Sequence, residues 1–414
     1  MAWTPISKVY VFSTLKGEPR PVGVLNLNGG IYAFGYAKSW LARSDAYPLD
    51  PLHLPLSAQI FESPRLFGAL TDSLPDNWGQ RVVLATHKQT PGNPIEWLLA
   101  TRGRGVGALA FSAARSKVLK PNTPPTLNDL DRLLSAMDSI QTSQRLQDPE
   151  LIHLIEYGSS FGGARPKTIV VDGDREWLAK LSRIDDTFDQ IGAEAASLAM
   201  ARDLGIQTPD FRIHRVNGRP VLLVARFDRI HRQPSAHYLS GESVLNIRKI
   251  RETDFEGEYS YQGLASVIRK ISEAPKEDLR ELYRRMAFNV AIGNTDDHLK
   301  NHGFVYSETG GWRLAPAFDL LPHPEQLTLH AIGIGGQGRQ SNIENLLSRA
   351  GVFGLKRGDA EQVIEKTLKM MASANDYFLD YGVPEVDAGM LARICLRFVE
   401  PSPGRPGITP NACR

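Results

Sequence analysis

The stretch IGNTDDHLKNHGF, residues 292–304, crowds two adjacent aspartates, two histidines, a lysine and two asparagines between apolar neighbours. Asp296 and Asn301 stand in the pattern D-x-x-x-x-N. The first is a carboxylate that can take a proton; the second offers a neutral amide oxygen to a divalent cation. Phosphoryl transfer needs both, one beside the attacking hydroxyl and one on Mg²⁺. Asp297 stands one residue closer to Asn301, so the spacing gives the proton-accepting role to Asp296 and leaves Asp297 as a solvated neighbour. A further carboxylate, Asp319 in WRLAPAFDLLP, follows a short apolar segment, where it can supply a second metal ligand. The plain alternative for Asp319 is a turn before proline. A different chemistry would use Asp296, His298 and His302 as ligands of Zn²⁺ or Mn²⁺ in a hydrolase.

The segment before this cluster, KEDLRELYRRMAFNVAIG, places Leu279, Leu282, Met286 and Val290 on one helical stripe with Gly293 as its stop. The charged loop therefore follows a buried helix, a rigid support of the kind on which catalytic groups are found. The Asp296-to-Asn301 spacing is also that of the protein-kinase catalytic loop. Nucleotide chemistry requires cationic contacts as well. Lys180 lies in the apolar strand EWLAKL, a costly place for a solvated ammonium, and Glu194 shares a helix face with Ile191, Ala195 and Leu198. Such a pair suits the Lys–Glu couple that orients a phosphate-contacting lysine; two charges at the rims of their elements are the alternative. SSFGGARPK precedes that strand: Gly162 and Gly163 can aim amides at an anion, with Arg165 and Lys167 adding positive charge. It matches neither standard phosphate-loop pattern.

The wider chain fits a globular protein of two or three units: 414 residues, 42% hydrophobic and 23% charged. With 48 basic and 46 acidic residues, the net charge of +2 makes no general case for direct nucleic-acid or membrane-surface binding. Only Cys395 and Cys413 are present, which excludes a disulfide framework and suits a reducing compartment. The N-terminus lacks the pattern of a signal peptide, and no apolar run is long enough to span a membrane, so a soluble, cytoplasmic protein is predicted. Short strands are expected over residues 8–36, a linker over 116–126, and a helix over Leu127–Leu146. Two hairpins are expected at Asp172-Gly173 and Asn217-Gly218, a helix over Asp189–Leu204, and mainly helix from Tyr261 to Phe398.

Taken together, these segments resemble the HipA family of bacterial serine/threonine kinases, the toxins of toxin–antitoxin pairs. SSFGGARPK resembles the family's phosphate loop, NTDDHLKNHGF its T-D-x-H-x-K-N catalytic loop, and LAPAFDLLP its metal-binding segment. DSLPDNWG is similar to the L-L-P-D stretch of the N-terminal subdomain, and VARFDR to the E-R-F-D hinge, with Ala225 where glutamate is common. The resemblance implies an α+β, two-lobed, protein-kinase-like fold. Its parts would be a β-rich N-terminal subdomain over 1–115, a nucleotide-binding N-lobe region over 127–260, a mostly helical catalytic lobe over 261–400, and a disordered tail over 401–414. It implies ATP and Mg²⁺ as cofactors. Asp296 would be the base, and His298 and Lys300 would position the loop and contact the γ-phosphate. Asn301 and Asp319 would ligate the metal, Lys180 would contact phosphates, and Phe227 would pack near adenine. Ser160 would be the autophosphorylated residue, ambiguous by one position with Ser159. Implied partners are a HipB-like helix-turn-helix antitoxin, operator DNA bound mainly through it, and a protein substrate, aminoacyl-tRNA synthetases being among the family's targets. A catalytically silent relative acting as a binding partner in a repressor complex is the alternative.

Overall fold

Alternating apolar residues turn the first part of the chain into a sheet. The structure, a computed structural model, describes residues 5–15, 17–101, 105–118, 123–142, 146–158, 163, 165–247, 250–307 and 311–398. The chain divides into two compact units. One comprises Met1–Asp186, Pro209–Asn246 and Gly303–Ala315; the other comprises Thr187–Thr208, Ile247–His302 and Pro316–Arg414.

In the first unit, β1 (Lys8–Ser13), β2 (Arg20–Asn28), β3 (Ile31–Tyr36), β4 (Ile60–Ser63) and β5 (Leu109–Ser112) form an antiparallel sheet in the order β4-β3-β2-β1-β5. A second sheet contains β6 (Lys167–Asp172), β7 (Arg175–Leu181), β8 (Phe211–Val216) and β9 (Arg219–Ala225) in the order β6-β7-β9-β8. Both expected hairpins are present. Asn217 at φ 49° and Gly218 at φ 83° make the second turn, the positive-φ pair that fits the twist of the flanking strands. One face of this sheet, built by Val170, Trp177, Ala179, Leu181, Val221 and Leu223, packs against helix α2 (Leu130–Gln141) and Trp78 of helix α1 (Asn77–Thr86). Strand alternation turns Lys167, Ile169, Leu178, Lys180, Leu222 and Val224 to the opposite face. Helix α2 is shorter than the expected Leu127–Leu146; residues Leu127–Asp129 form a 3₁₀ turn with a capping box between Thr126 and Asp129.

A third sheet joins β10 (Ala236–Ser240), β11 (Gly303–Ser307) and β12 (Trp312–Leu314). Here the structure departs from the expected run of helix after Tyr261. Phe304 to Tyr306 pair with Leu239 to His237, and a pairing between segments so far apart in sequence leaves no local periodicity to read. Residues 315–342 contain no helix or strand longer than isolated bridges.

The second unit is helical: α3 (Gln190–Asp203), α4 (Tyr261–Ile271), α5 (Pro275–Ile292), α6 (Ile343–Ser348), α7 (Arg357–Met371), α8 (Ala374–Asp380) and α9 (Glu385–Leu396). Leu279, Leu282, Met286 and Val290 of α5 are buried as the stripe predicts. The end of α5 is fixed twice. Gly293 takes a left-handed conformation at φ 75°, and Arg397 donates to the last carbonyls, reaching Ala291 O at 3.0 Å and Val290 O. Burial pulls the Arg397 guanidinium down to about 10. Among the described residues no helix is long and apolar enough to cross a membrane.

A side chain at Gly293 would combine left-handed strain with a Cβ only 2.7 Å from Ile394 Cγ2. Gly293→Ala is expected to cost about 1–3 kcal/mol in denaturant unfolding, and an unchanged midpoint would contradict this origin of the loop's position.

Candidate active site

The loop after α5 separates the two aspartates sharply. The Asp296 side chain is 62% exposed, with His323 Nε2 3.8 Å from its carboxylate. Asp297 is 2% exposed, which corrects the expectation of a solvated neighbour. Its Oδ2 accepts the hydroxyl of Tyr261 and a hydrogen bond of 3.1 Å from Nε2 of His302. Burial by itself would raise the Asp297 carboxyl; the charge and hydrogen bond of His302 and the Tyr261 hydroxyl outweigh it and hold the group below the usual carboxylate range. The sequence misleads here because spacing says nothing of which way a residue points. The buried donors come from α4 and from the far end of the loop.

His298 is half-buried, and its Nδ1 has no hydrogen-bond partner among the described residues. Lys300 is exposed and Asn301 half-buried, at the end of the 3₁₀ turn Leu299–Asn301. The loop is closed by His298 N to Asp296 O at 2.7 Å and Asn301 N to His298 O at 2.9 Å. With His302 turned onto Asp297, the hydrolase set Asp296, His298 and His302 is not assembled; among the described residues no three His, Cys, Asp or Glu side chains gather for a metal.

The Asp319 segment docks directly on this loop. Asn294 Nδ2 donates to Asp319 O at 3.3 Å and His323 N to Gly293 O at 2.9 Å. Asp319 itself stands at φ 60°, a left-handed conformation that costs a non-glycine residue free energy and is held by its surroundings. Asn301 and Asp319 supply hard oxygen donors, the chemistry Mg²⁺ selects. Residues missed in the sequence are Asn289, Asn294, Tyr261 and His323. The only sequence signal was the nearness of Asn294 to the loop and of His323 to Asp319.

In the first unit, Lys167 and Lys180 face each other directly across β6 and β7, 7% and 5% exposed. The register puts both lysine side chains on the same face of the sheet. Gly163 has φ 101°, and a Cβ there would lie 2.5 Å from Lys167 Nζ, so the glycine lets the ammonium approach the loop backbone. DSLPDNWG turns out to brace this region. Trp78 donates from its backbone to Gly163 O at 3.2 Å and from its indole to Lys167 O at 2.9 Å, and Asp76 accepts from Gly163 N at 3.3 Å. Arg165, expected to add charge to the loop, instead forms a two-armed pair with Asp186, one arm at 3.1 Å. Ser159, Ser160 and Gly162 lie outside the described residues, as does the tail 401–414. Glu194 is buried on α3 of the second unit, at 4% exposure.

Phe227 is half-buried after β9, its ring 6.2 Å from that of Tyr238. Its neighbours form a buried charge cluster. Arg226 reaches Asp228 at 2.7 Å and Glu176 at 3.0 Å; Arg229 reaches Asp228 at 2.8 Å; Gly107 N donates to Asp228 at 2.6 Å. Burial would raise the Asp228 carboxyl, but the two guanidiniums bring it down to about 2. A depressed folded-state value means that this contribution is complete at neutral pH and is lost as the pH falls from about 4 through about 2. Asp228→Asn should cost about 3–5 kcal/mol at pH 7, because two buried cations lose their shared partner. The difference from the unsubstituted protein should shrink on acidification in denaturant titrations, and a difference independent of pH would contradict the ionic origin.

The fold matches that of HipA, a mixed α+β architecture. The solved complex of HipA, HipB and operator DNA from the Shewanella oneidensis toxin–antitoxin system aligns with a TM-score of 0.70 at 17% identity, over 94% of this chain and 95% of that one. The profile of the HipA-like C-terminal domain matches residues 159–375, and that of the HipA N-terminal domain residues 15–112. The chain belongs to the HipA family. Among its relatives, Y4mE of Sinorhizobium fredii, named as a kinase, is 25% identical over 70% of this chain and 72% of its own. The serine/threonine-protein kinase toxin HipA of Shewanella oneidensis is 23% identical over 70% of each chain.

Proposed function

We propose that this protein is an ATP- and Mg²⁺-dependent serine/threonine protein kinase. The observation that carries the reading is the docking of the Asp319 segment on the Asp296 loop through Asn294 and Gly293. It sets the segment carrying Asp319 against the loop carrying Asp296 and Asn301, and a carboxylate base with oxygen donors for Mg²⁺ is what phosphoryl transfer to a hydroxyl uses. Asp296 accepts the proton of the attacking hydroxyl, and its exposure leaves it open to a protein substrate. Asn301 and Asp319 would hold Mg²⁺, which neutralises charge on the transferring phosphoryl group. Lys180 and Lys167 would hold ATP phosphates with the backbone of Gly162 and Gly163. Phe227 would pack near adenine. His298 and Lys300 would position the loop and the γ-phosphate. The name of the Shewanella relative supports transfer to protein serine or threonine, and the Shewanella complex of HipA, HipB and operator DNA supports a HipB-like antitoxin as partner, with operator DNA bound mainly through it. Arrest of growth through a phosphorylated protein, an aminoacyl-tRNA synthetase being one substrate of this kind, is the corresponding outcome.

Asp296→Asn should lower phosphoryl transfer from Mg²⁺·ATP by about 10²–10⁴ without shifting the melting temperature, as expected for loss of a general base. Retained activity would move the base elsewhere, and an inert unsubstituted protein would favour a silent binding partner. Ser160→Ala should remove the main autophosphorylation in peptide mapping; phosphate found on Ser159 would place the assignment one residue off.

A further inference from the structure

The Asp297 network continues beyond its two donors. Asn289 Nδ2 donates to the Tyr261 oxygen at 3.0 Å, and Asn294 Nδ2 donates to Asn289 Oδ1 at 3.1 Å as well as to Asp319 O. A single buried chain thus runs His302–Asp297–Tyr261–Asn289–Asn294–Asp319. Its members Tyr261, Asn289, Asn294, Asp297 and His302 are each at most 2% exposed. Its geometry has a particular relation to the reacting groups: Asp297 directly follows Asp296, His302 directly follows Asn301, and Asn294 holds the carbonyl of Asp319.

We infer that Asp297 and His302 are positioning residues, a buried staple that closes the catalytic loop just behind the base and the metal ligand and fixes both relative to Asp319. The inference rests on the kinase reading for the roles of Asp296, Asn301 and Asp319. A loop of this length held only by its backbone turns would let Asp296 and Asn301 shift independently. The 3.1 Å bond between Asp297 and His302 ties their neighbours together, and Tyr261 anchors that bond to a helix. Reacting groups must be held within about 0.5 Å of productive geometry, so a buried carboxylate is worth its desolvation here if it sets that tolerance. The interaction requires a proton on His302 Nε2 and an acceptor at 297. Substitution by glutamine at 302 keeps a donor at a similar reach; alanine removes it.

The test combines steady-state kinetics with hydrogen exchange of the backbone amides, on the full chain with Mg²⁺·ATP. Asp297→Ala and His302→Ala should lower kcat by about 10²-fold, the cost of a displacement near 1 Å, while leaving the KM for ATP within a few-fold. Their amides over 296–302 and 319–323 should exchange about tenfold faster, with α5 and α7 unchanged. His302→Gln should restore most of kcat and of the protection. Tyr261→Phe, which removes one oxygen, serves if Asp297→Ala does not fold, and should act in the same direction. Unchanged exchange in both alanine variants overturns the staple, as does His302→Gln behaving like His302→Ala. An unsubstituted protein without phosphoryl transfer overturns the kinase reading instead, and exchange then still decides the staple.

Discussion

One buried carboxylate organises the chemistry of the second unit. Asp297 is withdrawn from water, and an ionised group in that position is tolerated only when donors replace its hydration. Tyr261 and His302 do so, and each comes from a segment that the loop must then respect. The consequence is directional. Satisfying Asp297 inward turns Asp296 outward, so two chemically identical neighbours acquire opposite environments. In the proposed reaction the solvent-facing Asp296 is the proton acceptor, and the buried Asp297 is scaffold.

The first unit resolves a different electrostatic problem. Lys167 and Lys180 stand opposite one another on strands whose other face is apolar core, so neither can leave without breaking the sheet. Near it, Trp78 and Asp76 brace the glycine loop, and the Arg226, Arg229, Asp228 and Glu176 cluster joins the segment after β9 to Gly105 and Gly107. The N-terminal sheet region is therefore part of the unit that carries the lysines, bonded to them through the backbone of Gly163 and Lys167.

Much of this was legible in the chain. The stripe ending at Gly293, both hairpins of the lysine-bearing sheet and the D-x-x-x-x-N spacing all follow from local pattern, because local sterics and burial decide them. What was not legible depends on contacts between segments far apart in sequence. The burial of Asp297 needs Tyr261; the diversion of Arg165 needs Asp186; strand β11 needs β10. Short-range spacing separated Asp296 from Asp297 but left Asp297 as a solvated neighbour, because it carries no sign of the buried partners that Asp297 finds in Tyr261 and His302.

The reaction proposed for this site moves a phosphoryl group to a protein hydroxyl. Following the label from γ-labelled ATP in the purified protein with Mg²⁺, by phosphoamino-acid analysis beside measurement of free phosphate, decides it. The expected result is label on serine or threonine, dependent on Mg²⁺. Label released only as inorganic phosphate, or transfer that is indifferent to the metal, would contradict it.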